Sequence, residues 1–298
     1  DLYYGENSLR LAMWGIAVGT TVLSTYALAA TGMLDLSQTL YLSRAWNPLS
    51  SIIGGLMFGY GMALAGNCGY GALARLGGGD LRSFLIVLVM GISAYVTLNG
   101  PLSGLRIWAF GGAEPVSQTP SYAQALAGVS GLPVATTGIA IGALILLGTL
   151  ARRDLRANLS YVVWGGIVGL CVTAGWAGTS WVAANGFAAT AVVSHTFSAP
   201  LGETLIYTMT SSGNYVTFGT GSVFGVVLGA VLGSLIKGHF RWEACDDPKE
   251  LRRQILGAAI MGAGSVIAVG CSVGQGLSAM SVLSYGAPVT LACIMLGA

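Results

Sequence analysis

Three long stretches of the chain contain no Asp, Glu, Lys or Arg, and they limit the possible folds more than any other feature. They run from Ala157 to Gly202, from Thr204 to Ile236 and from Gln254 to Ala298. Soluble domains carry about 25% charged residues, whereas this chain has 8% charged and 54% hydrophobic residues. The core of a soluble protein can hide one such stretch, but not three. Because about 20 apolar residues span a lipid bilayer, the sequence predicts an all-α polytopic membrane protein.

Eight apolar segments are candidate membrane spans. They are Leu11–Met33, Pro48–Gly66, Ser83–Leu102, Ala135–Ala151, Leu159–Val182, Val216–Ile236, Ile255–Gly270 and Ser284–Gly297. We expect a single transmembrane domain over residues 1–298, with no soluble domain attached. The net charge of +2 provides no basic patch of the kind that nucleic acid requires, so nucleic acid is excluded as a partner.

The basic residues predict how the chain is oriented. Arginines cluster at positions 152–156, and a second basic cluster lies within residues 237–253. The positive-inside rule assigns both clusters to the cytoplasm. Alternating spans then direct the long loop Ser103–Val134 outward and keep Arg75 and Arg82 inside.

Two glycine-rich stretches around cysteines repeat the same spacing. An offset of 203 positions superimposes Cys68 on Cys271, and both copies then read G-x4-G-x-G-x6-C-x2-G. With the predicted orientation, the first copy runs inward and the second runs outward. Two related halves of opposite direction are the inverted repeats common in transporters. We therefore predict one repeat at about residues 1–134 and the other at about 157–298.

The glycines of these stretches have two interpretations. Those that precede the cysteines are best explained by close helix packing in lipid. They are Gly54, Gly59, Gly61, Gly257, Gly262 and Gly264. Glycines that flank the cysteines loosen the helix, and irregular backbone at membrane depth survives only against protein or a wet cavity. We expect two broken, re-entrant segments, one from each repeat, that meet near the membrane midplane.

The residues at these two segments are candidates for a substrate pathway. They are Gly66, Asn67, Cys68, Gly69, Gly71, Gly270, Cys271, Ser272, Gly274 and Gln275. A broken helix directs free N–H groups toward an anion, and a neutral thiol is a weak donor with a soft sulfur that lets a dianion pass. A lone membrane cysteine is more simply a small buried hydrophobe, but two at matched positions favour a pathway.

His195 lies within an uncharged stretch and has both a packing and a pathway interpretation. As an ionisable group inside the membrane, it is included among the pathway candidates. Cys171 and Cys293 have no matched partner and are interpreted as packing residues. Cys245 lies in the charged loop, where it is either a solvated bystander or part of a docking surface. No cofactor or metal site is predicted.

Several segments resemble the YeeE/YedE sulfur-transport family. The paired signatures are "GLMFGYGMALAGNCGYGALARLGGGDLRSF" and "GAAIMGAGSVIAVGCSVGQGLSAMSVLS"; "VVSHTFSAPLGETLIYTMTSSGNYVTFG" and "GHFRWEACDDPKELRRQ" fit as well. The resemblance covers nearly the whole chain. It implies a bacterial inner-membrane importer of thiosulfate in which cysteines relay the ion by S–H hydrogen bonds, and Cys68 and Cys271 match two of these positions.

The same resemblance carries two further expectations. Family members often work beside a small cytoplasmic sulfur-carrier protein, and we place that contact at the loop 237–253. The family usually has a Phe-Cys pair near its N-terminus, which this sequence lacks. We expect the pair upstream of residue 1, and a member without it fits this chain equally well.

Three functions fit these observations. The first is transport of a small sulfur-containing anion, thiosulfate by resemblance. The second is a membrane thiol enzyme that forms a persulfide at Cys68 or Cys271, and the third is an anchor for a sulfur-carrier protein. No general base lies within ten residues of Cys271, and only Arg75 lies near Cys68. A nearby general base is one way of activating a thiol for covalent chemistry, and without one the sequence favours passage and a protein that is not an enzyme.

Overall fold

The helical prediction is confirmed by a computed structural model of the chain. The structure describes residues 8–111, 121–186, 190–243 and 247–298. Within these ranges the regular elements are helices, and β-pairing is limited to isolated bridges. Glu114 and Cys245 lie outside the described residues.

The helices are labelled in chain order. They are α1 (Ser8–Ala30), α2 (Pro48–Ala65), α3 (Gly69–Gly77), α4 (Leu81–Leu98), α5 (Ser103–Phe110), α6 (Tyr122–Ser130), α7 (Val134–Leu150), α8 (Arg153–Arg156), α9 (Leu159–Asn185), α10 (Ala199–Thr210), α11 (Phe218–Ile236), α12 (Pro248–Ile267) and α13 (Gly286–Gly297). A short 3₁₀ helix covers Leu36–Gln38, and a π-helical segment covers Gly274–Ala279.

Each of the eight predicted spans corresponds to a helix: α1, α2, α4, α7, α9, α11, α12 and α13. Among the described residues, five helical segments are long and apolar enough to cross a membrane, or six if the bent pair α6–α7 forms one span. The chain bends by 112° between the two helices of that pair. The helix α12 is not among the five because it begins with several charged residues, and α13 is only 12 residues long.

The segment expected to be one long loop, Ser103–Val134, instead contains α5 and α6. The start of α6 is fixed by a capping box in which Ser121 and Gln124 bond reciprocally. Its end is fixed by Gly131, which has φ +70. Some of the Gly and Ser residues whose abundance suggested a loop are therefore the capping residues of a helix.

The described chain divides into two compact units. The first unit combines residues 1–46, 115–194 and 276–287. In it α1 packs against α7 and α9, and the buried Trp176 donates a hydrogen bond to Ser281 Oγ at 2.9 Å. Tyr26, also buried, donates to the carbonyl of Val282 at 3.1 Å. These bonds satisfy the polar atoms of two large side chains that lack contact with solvent.

The second unit combines residues 47–114, 195–275 and 288–298. Here α12 packs against α2 and α4, α10 packs against α4, and α3 packs against α4 and α11. The fully buried Phe58, Met90 and Met261 belong to its hydrophobic cluster. Both units contain segments from both predicted repeats, so the repeat boundaries at about residues 134 and 157 stay a prediction.

Large apolar side chains cover outward-facing parts of the helices. Leu144 on α7, Leu170 on α9 and Leu228 on α11 are 73%, 56% and 62% exposed. Each such side chain left in water forgoes about 1.5–3 kcal/mol of burial free energy. Lipid removes that penalty, and the chain is therefore a multi-pass membrane protein.

Candidate transport site at two helix breaks

The first break separates α2 from α3 at residues 66–68. Gly66 has φ +77 and its N–H bonds to the carbonyl of Met62, which ends α2. Cys68 is the N-cap of α3, and its Sγ accepts the N–H of Gly71 at 3.4 Å. N-caps are usually Ser, Thr, Asp or Asn, whose side-chain oxygen takes this role. At this break a cysteine sulfur replaces that oxygen.

The second break follows α12 at residues 268–271. Val269 has φ +55 and Gly270 has φ +155, so the chain turns sharply away from the helix axis. Cys271 comes next and is 1% exposed. Its Sγ accepts the N–H of Gly274 at 3.4 Å. Each cysteine therefore accepts a hydrogen bond from the residue three positions later, at the same distance.

An amide side chain satisfies the carbonyl groups that each break exposes. At the second break, Gln275 Nε2 donates to the carbonyls of Ala268 (2.8 Å) and Val269 (3.1 Å). At the first break, the Asn67 amide, oriented so that both its ends are satisfied, donates to the carbonyl of Gly66 at 3.0 Å. Gly66 and Val269 are equivalent under the offset of 203 positions, so the two breaks use the same device.

The backbone conformations match as well. Gly66 and Val269 both have left-handed φ. After the breaks, Gly79 (φ +102) corresponds to Leu283 (φ +51), with an offset of 204 positions. The added position is explained by the π-helical segment Gly274–Ala279, because its i→i+5 bonds enclose one residue more than those of an α-helix.

A β-branched residue with positive φ is strained by roughly 1–2 kcal/mol, whereas glycine is not. Val269→Gly is therefore expected to raise the thermal stability of the detergent-solubilised protein, and Gly66→Val to lower it. Fluorescence-detected unfolding of both variants measures this. Destabilisation by Val269→Gly would show that its side chain contributes more than its strained backbone costs.

The helices before the breaks pack through reciprocal glycine contacts. A Cβ added to Gly54 would lie 2.8 Å from the carbonyl oxygen of Gly264. A Cβ on Gly257, the equivalent of Gly54, would lie 2.7 Å from the carbonyl oxygen of Gly61, the equivalent of Gly264. Because later residues of α2 meet earlier residues of α12, the two helices run antiparallel. Replacing each residue by its equivalent in the other stretch therefore turns one of these contacts into the other.

The same equivalence of contacts extends to the helices that follow each break, α4 and α13. Gly59 on α2 approaches the carbonyl oxygen of Ile294 on α13, and Gly262 on α12 approaches that of Met90 on α4. Ile294 and Met90 are equivalent under the offset of 204 positions. The six glycines before the cysteines each leave no room for a Cβ beside a neighbouring backbone. Their predicted packing role is confirmed.

The segment before α10 lies against Cys271. Phe197 N–H donates to its Sγ at 3.3 Å, and Thr196 Oγ1 lies 3.8 Å from the same sulfur. His195 Nδ1 is 2.5 Å from Ser222 Oγ, and its ring stacks on Phe197. Sequence spacing missed Thr196 and Phe197 because they are remote from Cys271 along the chain. The polar run Ser-His-Thr within an apolar region was the signal available.

The two cysteines share one hydrophobic cluster of the second unit. Cys271 is a buried member of this cluster, and Cys68, which is half-buried, packs against it. Gly69 lets the chain approach closely, because a Cβ there would be 2.7 Å from the sulfur of Met90. Ser272 is half-buried beside Cys271.

The unmatched cysteines lie elsewhere. Cys171 is exposed on α9 in the first unit. Cys293 is buried on α13, where its Cβ leaves no space for a side chain at Gly55. A packing role for both stays a prediction, which uptake measurements on their variants would test.

The long apolar helices define a multi-pass membrane protein, and two thiols lie at helix breaks within it. The chain matches the family of sulphur transport proteins over residues 1–298 and belongs to that family. It is similar to the thiosulfate transporter TsuA of Spirochaeta thermophila, with 24% identity over 305 residues, 99% of this chain and 88% of the relative. It is also similar to the thiosulfate transporter TsuA of Escherichia coli K12, with 23% identity over 312 residues, 100% of this chain and 84% of the relative. The resemblance inferred from the sequence is confirmed.

Proposed function

We propose that the protein imports thiosulfate across a bacterial inner membrane, along a pathway that passes Cys68 and Cys271. Membership of a sulphur transport family and two relatives named thiosulfate transporters support the substrate. The observation that carries the pathway is the matched capping of two helix breaks by cysteine in one cluster.

The hydrogen bonds to the sulfurs favour thiols that donate. Each Sγ accepts a backbone N–H, so the lone pairs of sulfur are engaged while the S–H hydrogen remains to be donated. An S–H donor is weak, and a charged group would hold a dianion more firmly. Two weak donors in sequence therefore bind the ion without trapping it. The remaining pathway candidates shape the breaks that present these thiols: Gly66, Asn67, Gly69, Gly71, Gly270, Ser272, Gly274 and Gln275.

Inverted repeats account for the reciprocal contacts. Exchange of equivalent glycines between antiparallel α2 and α12 is what a local two-fold axis between these helices produces. Such an axis, lying in the membrane plane, would relate the two breaks as re-entrant segments near the midplane. Cysteine crosslinking across α2 and α12, at positions chosen in equivalent pairs, should form with similar yields. Crosslinks at one position of each pair only would contradict the symmetry.

Thr196 is proposed to hold the Cys271 thiol when no ion is bound. Its hydroxyl lies 3.8 Å from Cys271 Sγ. Thr196→Val keeps the shape and removes the hydroxyl, so uptake is expected to fall by about threefold to tenfold, the value of one neutral hydrogen bond. Thr196→Ser should retain uptake. Equal uptake by the Val and Ser variants would exclude a role for the hydroxyl.

His195 is proposed to support this segment from the other side. Its ring lies near Phe197 and Phe218, and Ser222 Oγ contacts its Nδ1. Along the sequence no base lies near Cys271. In the folded chain, however, the segment that contains His195 lies beside this thiol. His195→Asn, which retains a polar group, should preserve uptake better than His195→Leu.

The loop 237–253 is proposed to contact a small cytoplasmic sulfur-carrier protein. Its residues pair with the turn after α3: Arg241 N–H bonds to the carbonyl of Gly78, and Glu243 N–H to that of Gly79, both at 3.1 Å. Trp242 between them is 73% exposed. Co-purification of a carrier with the native protein, lost in Trp242→Ala, would support this contact.

Uptake of radiolabelled thiosulfate into proteoliposomes tests the proposed function. We expect saturable uptake that unlabelled thiosulfate abolishes. Sulfate and selenite serve as competitors and define which anions share the pathway. Liposomes with reconstituted protein that accumulate no more thiosulfate than empty liposomes would contradict the proposal.

A further inference from the structure

We infer that a second anion-binding site lies beside the first break, in a cavity at the end of α3. The cavity has a volume of about 230 Å³. Its lining residues are mostly charged: Arg75, Gly78, Asp80, Arg82, His239, Arg241 and Glu243. The site extends the proposed function, because it would receive the anion that leaves Cys68.

Three arginines and two carboxylates line the cavity, so these five side chains carry a net charge of +1. Arg82 pairs with both carboxylates, Asp80 at 3.5 Å and Glu243 at 3.8 Å. Across the described ranges, no carboxylate lies within 4.0 Å of the guanidinium groups of Arg75 or Arg241. The net positive charge favours an anion, and the N–H donors of these two guanidinium groups match the oxygens of a tetrahedral oxyanion. The concave surface strengthens the field they produce.

Arg75 connects this cavity to the first break. Its Nη1 and Nε donate to the Asn67 amide oxygen at 2.9 and 3.2 Å. Asn67 directly precedes Cys68, so the guanidinium is adjacent to the thiol's own turn while it also lines the cavity. Of its five N–H donors, the amide engages two, which leaves donors for an anion.

The position of Arg241 is fixed by backbone contacts. Arg241 N–H bonds to the carbonyl of Gly78 at 3.1 Å. Ser234 Oγ donates to the carbonyl of Gly77 at 3.2 Å, which ties α11 to the end of α3. The second stretch has no counterpart of Arg75, because Ser278 and Ala279 stand at the equivalent positions. An arginine is therefore present after Cys68 but not after Cys271, and this asymmetry gives the pathway a direction.

Arginine footprinting tests the site without relying on transport. Purified protein in detergent is treated with phenylglyoxal, with and without thiosulfate or sulfate, and modification of each arginine is measured by mass spectrometry. At anion concentrations about ten times Kd, the modification rate of Arg75 and Arg241 should fall by roughly tenfold. Exposed Arg153 on α8, which is not among the residues that line the cavity, should react at an unchanged rate and serves as the internal control.

The outcomes separate this inference from the proposed function. Protection of Arg75 and Arg241 with no thiosulfate uptake in proteoliposomes would support the site and contradict import. Thiosulfate uptake without protection would overturn the site and leave import standing. Equal protection by chloride at matched ionic strength would also overturn it, because it would reflect general screening.

A kinetic measurement complements the footprint. Arg241→Gln is expected to raise the thiosulfate concentration needed on the cavity side for half-maximal exchange by about tenfold, the value of one charge-assisted contact. Half-saturation from the opposite side should stay unchanged. Arg153→Gln removes one positive charge at an exposed residue outside the cavity lining and is the matched control. Identical exchange by the two variants would contradict the site.

Discussion

Replacing Cys271 by Ser is expected to lower thiosulfate uptake by about tenfold to a hundredfold. A charge-assisted hydrogen bond contributes about 1.5–3 kcal/mol, and each ~1.4 kcal/mol is a factor of ten. Serine keeps a donor but not the geometry, because the Phe197 and Gly274 N–H groups lie 3.3 and 3.4 Å from the sulfur. An N–H···O hydrogen bond prefers a donor–acceptor distance of about 2.9–3.0 Å. The serine oxygen would therefore form weaker hydrogen bonds with these two N–H groups and a weaker contact with the terminal sulfur of thiosulfate.

Cys271→Ala is expected to reduce uptake at least as strongly. It removes the donor and leaves two buried N–H groups without their acceptor, at about 1–3 kcal/mol for each unsatisfied group. Thermal unfolding must therefore accompany uptake, so that lost transport is separated from lost protein. Cys68 accepts one N–H and is half-buried, so Cys68→Ala should lose uptake with a smaller loss of stability.

The two cysteines without an equivalent in the other repeat provide the control variants. Cys171→Ser on exposed α9 and Cys293→Ala on α13 leave both helix breaks intact and should keep uptake within about twofold, less than a weak hydrogen bond contributes. Full uptake by the Ser and Ala variants at both Cys68 and Cys271 would contradict the thiol pathway. A persulfide found by mass spectrometry after exposure to thiosulfate would instead indicate covalent sulfur transfer.

The helices and the two breaks were predictable because they depend on local sequence. Each of the eight apolar segments located a helix, whereas α10 was not predicted, and the shared glycine spacing located Cys68 and Cys271 at helix ends. Positive φ at Gly66 follows from glycine's freedom. Positive φ at Val269 does not follow from its residue type. It is indicated only by comparison with the equivalent residue, Gly66.

The surroundings of the thiols were not predictable, because they depend on tertiary contacts. Thr196 and Phe197 reach Cys271 from a segment that precedes α10, and no local pattern links the two. The single-residue change of offset between Gly274 and Leu283 required the π-helical segment to explain it. The cavity beside Arg75 likewise exists because residues after α11 fold back on the turn after α3.

The second large effect is expected at the glycines between α2 and α12. A Cβ at Gly54 would overlap the backbone nitrogen of Ala268, and one at Gly257 would lie 2.6 Å from that of Ala65. Backbone atoms cannot move aside as side chains do, so the helices must separate. Overpacking of this kind costs about 1–3 kcal/mol or more. Gly54→Val and Gly257→Val are each expected to abolish most uptake and to lower the unfolding temperature in detergent.

Gly229→Val on α11 is the matched control, because no described heavy atom lies within 4 Å of a Cβ added there. It should retain the stability and uptake of the native protein.

The reciprocity of the contacts makes the prediction more specific. Because Gly54 and Gly257 occupy equivalent places in one helix pair, Gly54→Ala and Gly257→Ala should lower stability by similar amounts. In the double variant the helices are already separated by the first substitution, so the second should cost less than it does alone. Unfolding of the two single variants and the double variant, measured beside Gly229→Ala, tests this. Strictly additive losses, or a loss at Gly54 alone, would mean that the two glycines do not share one interface.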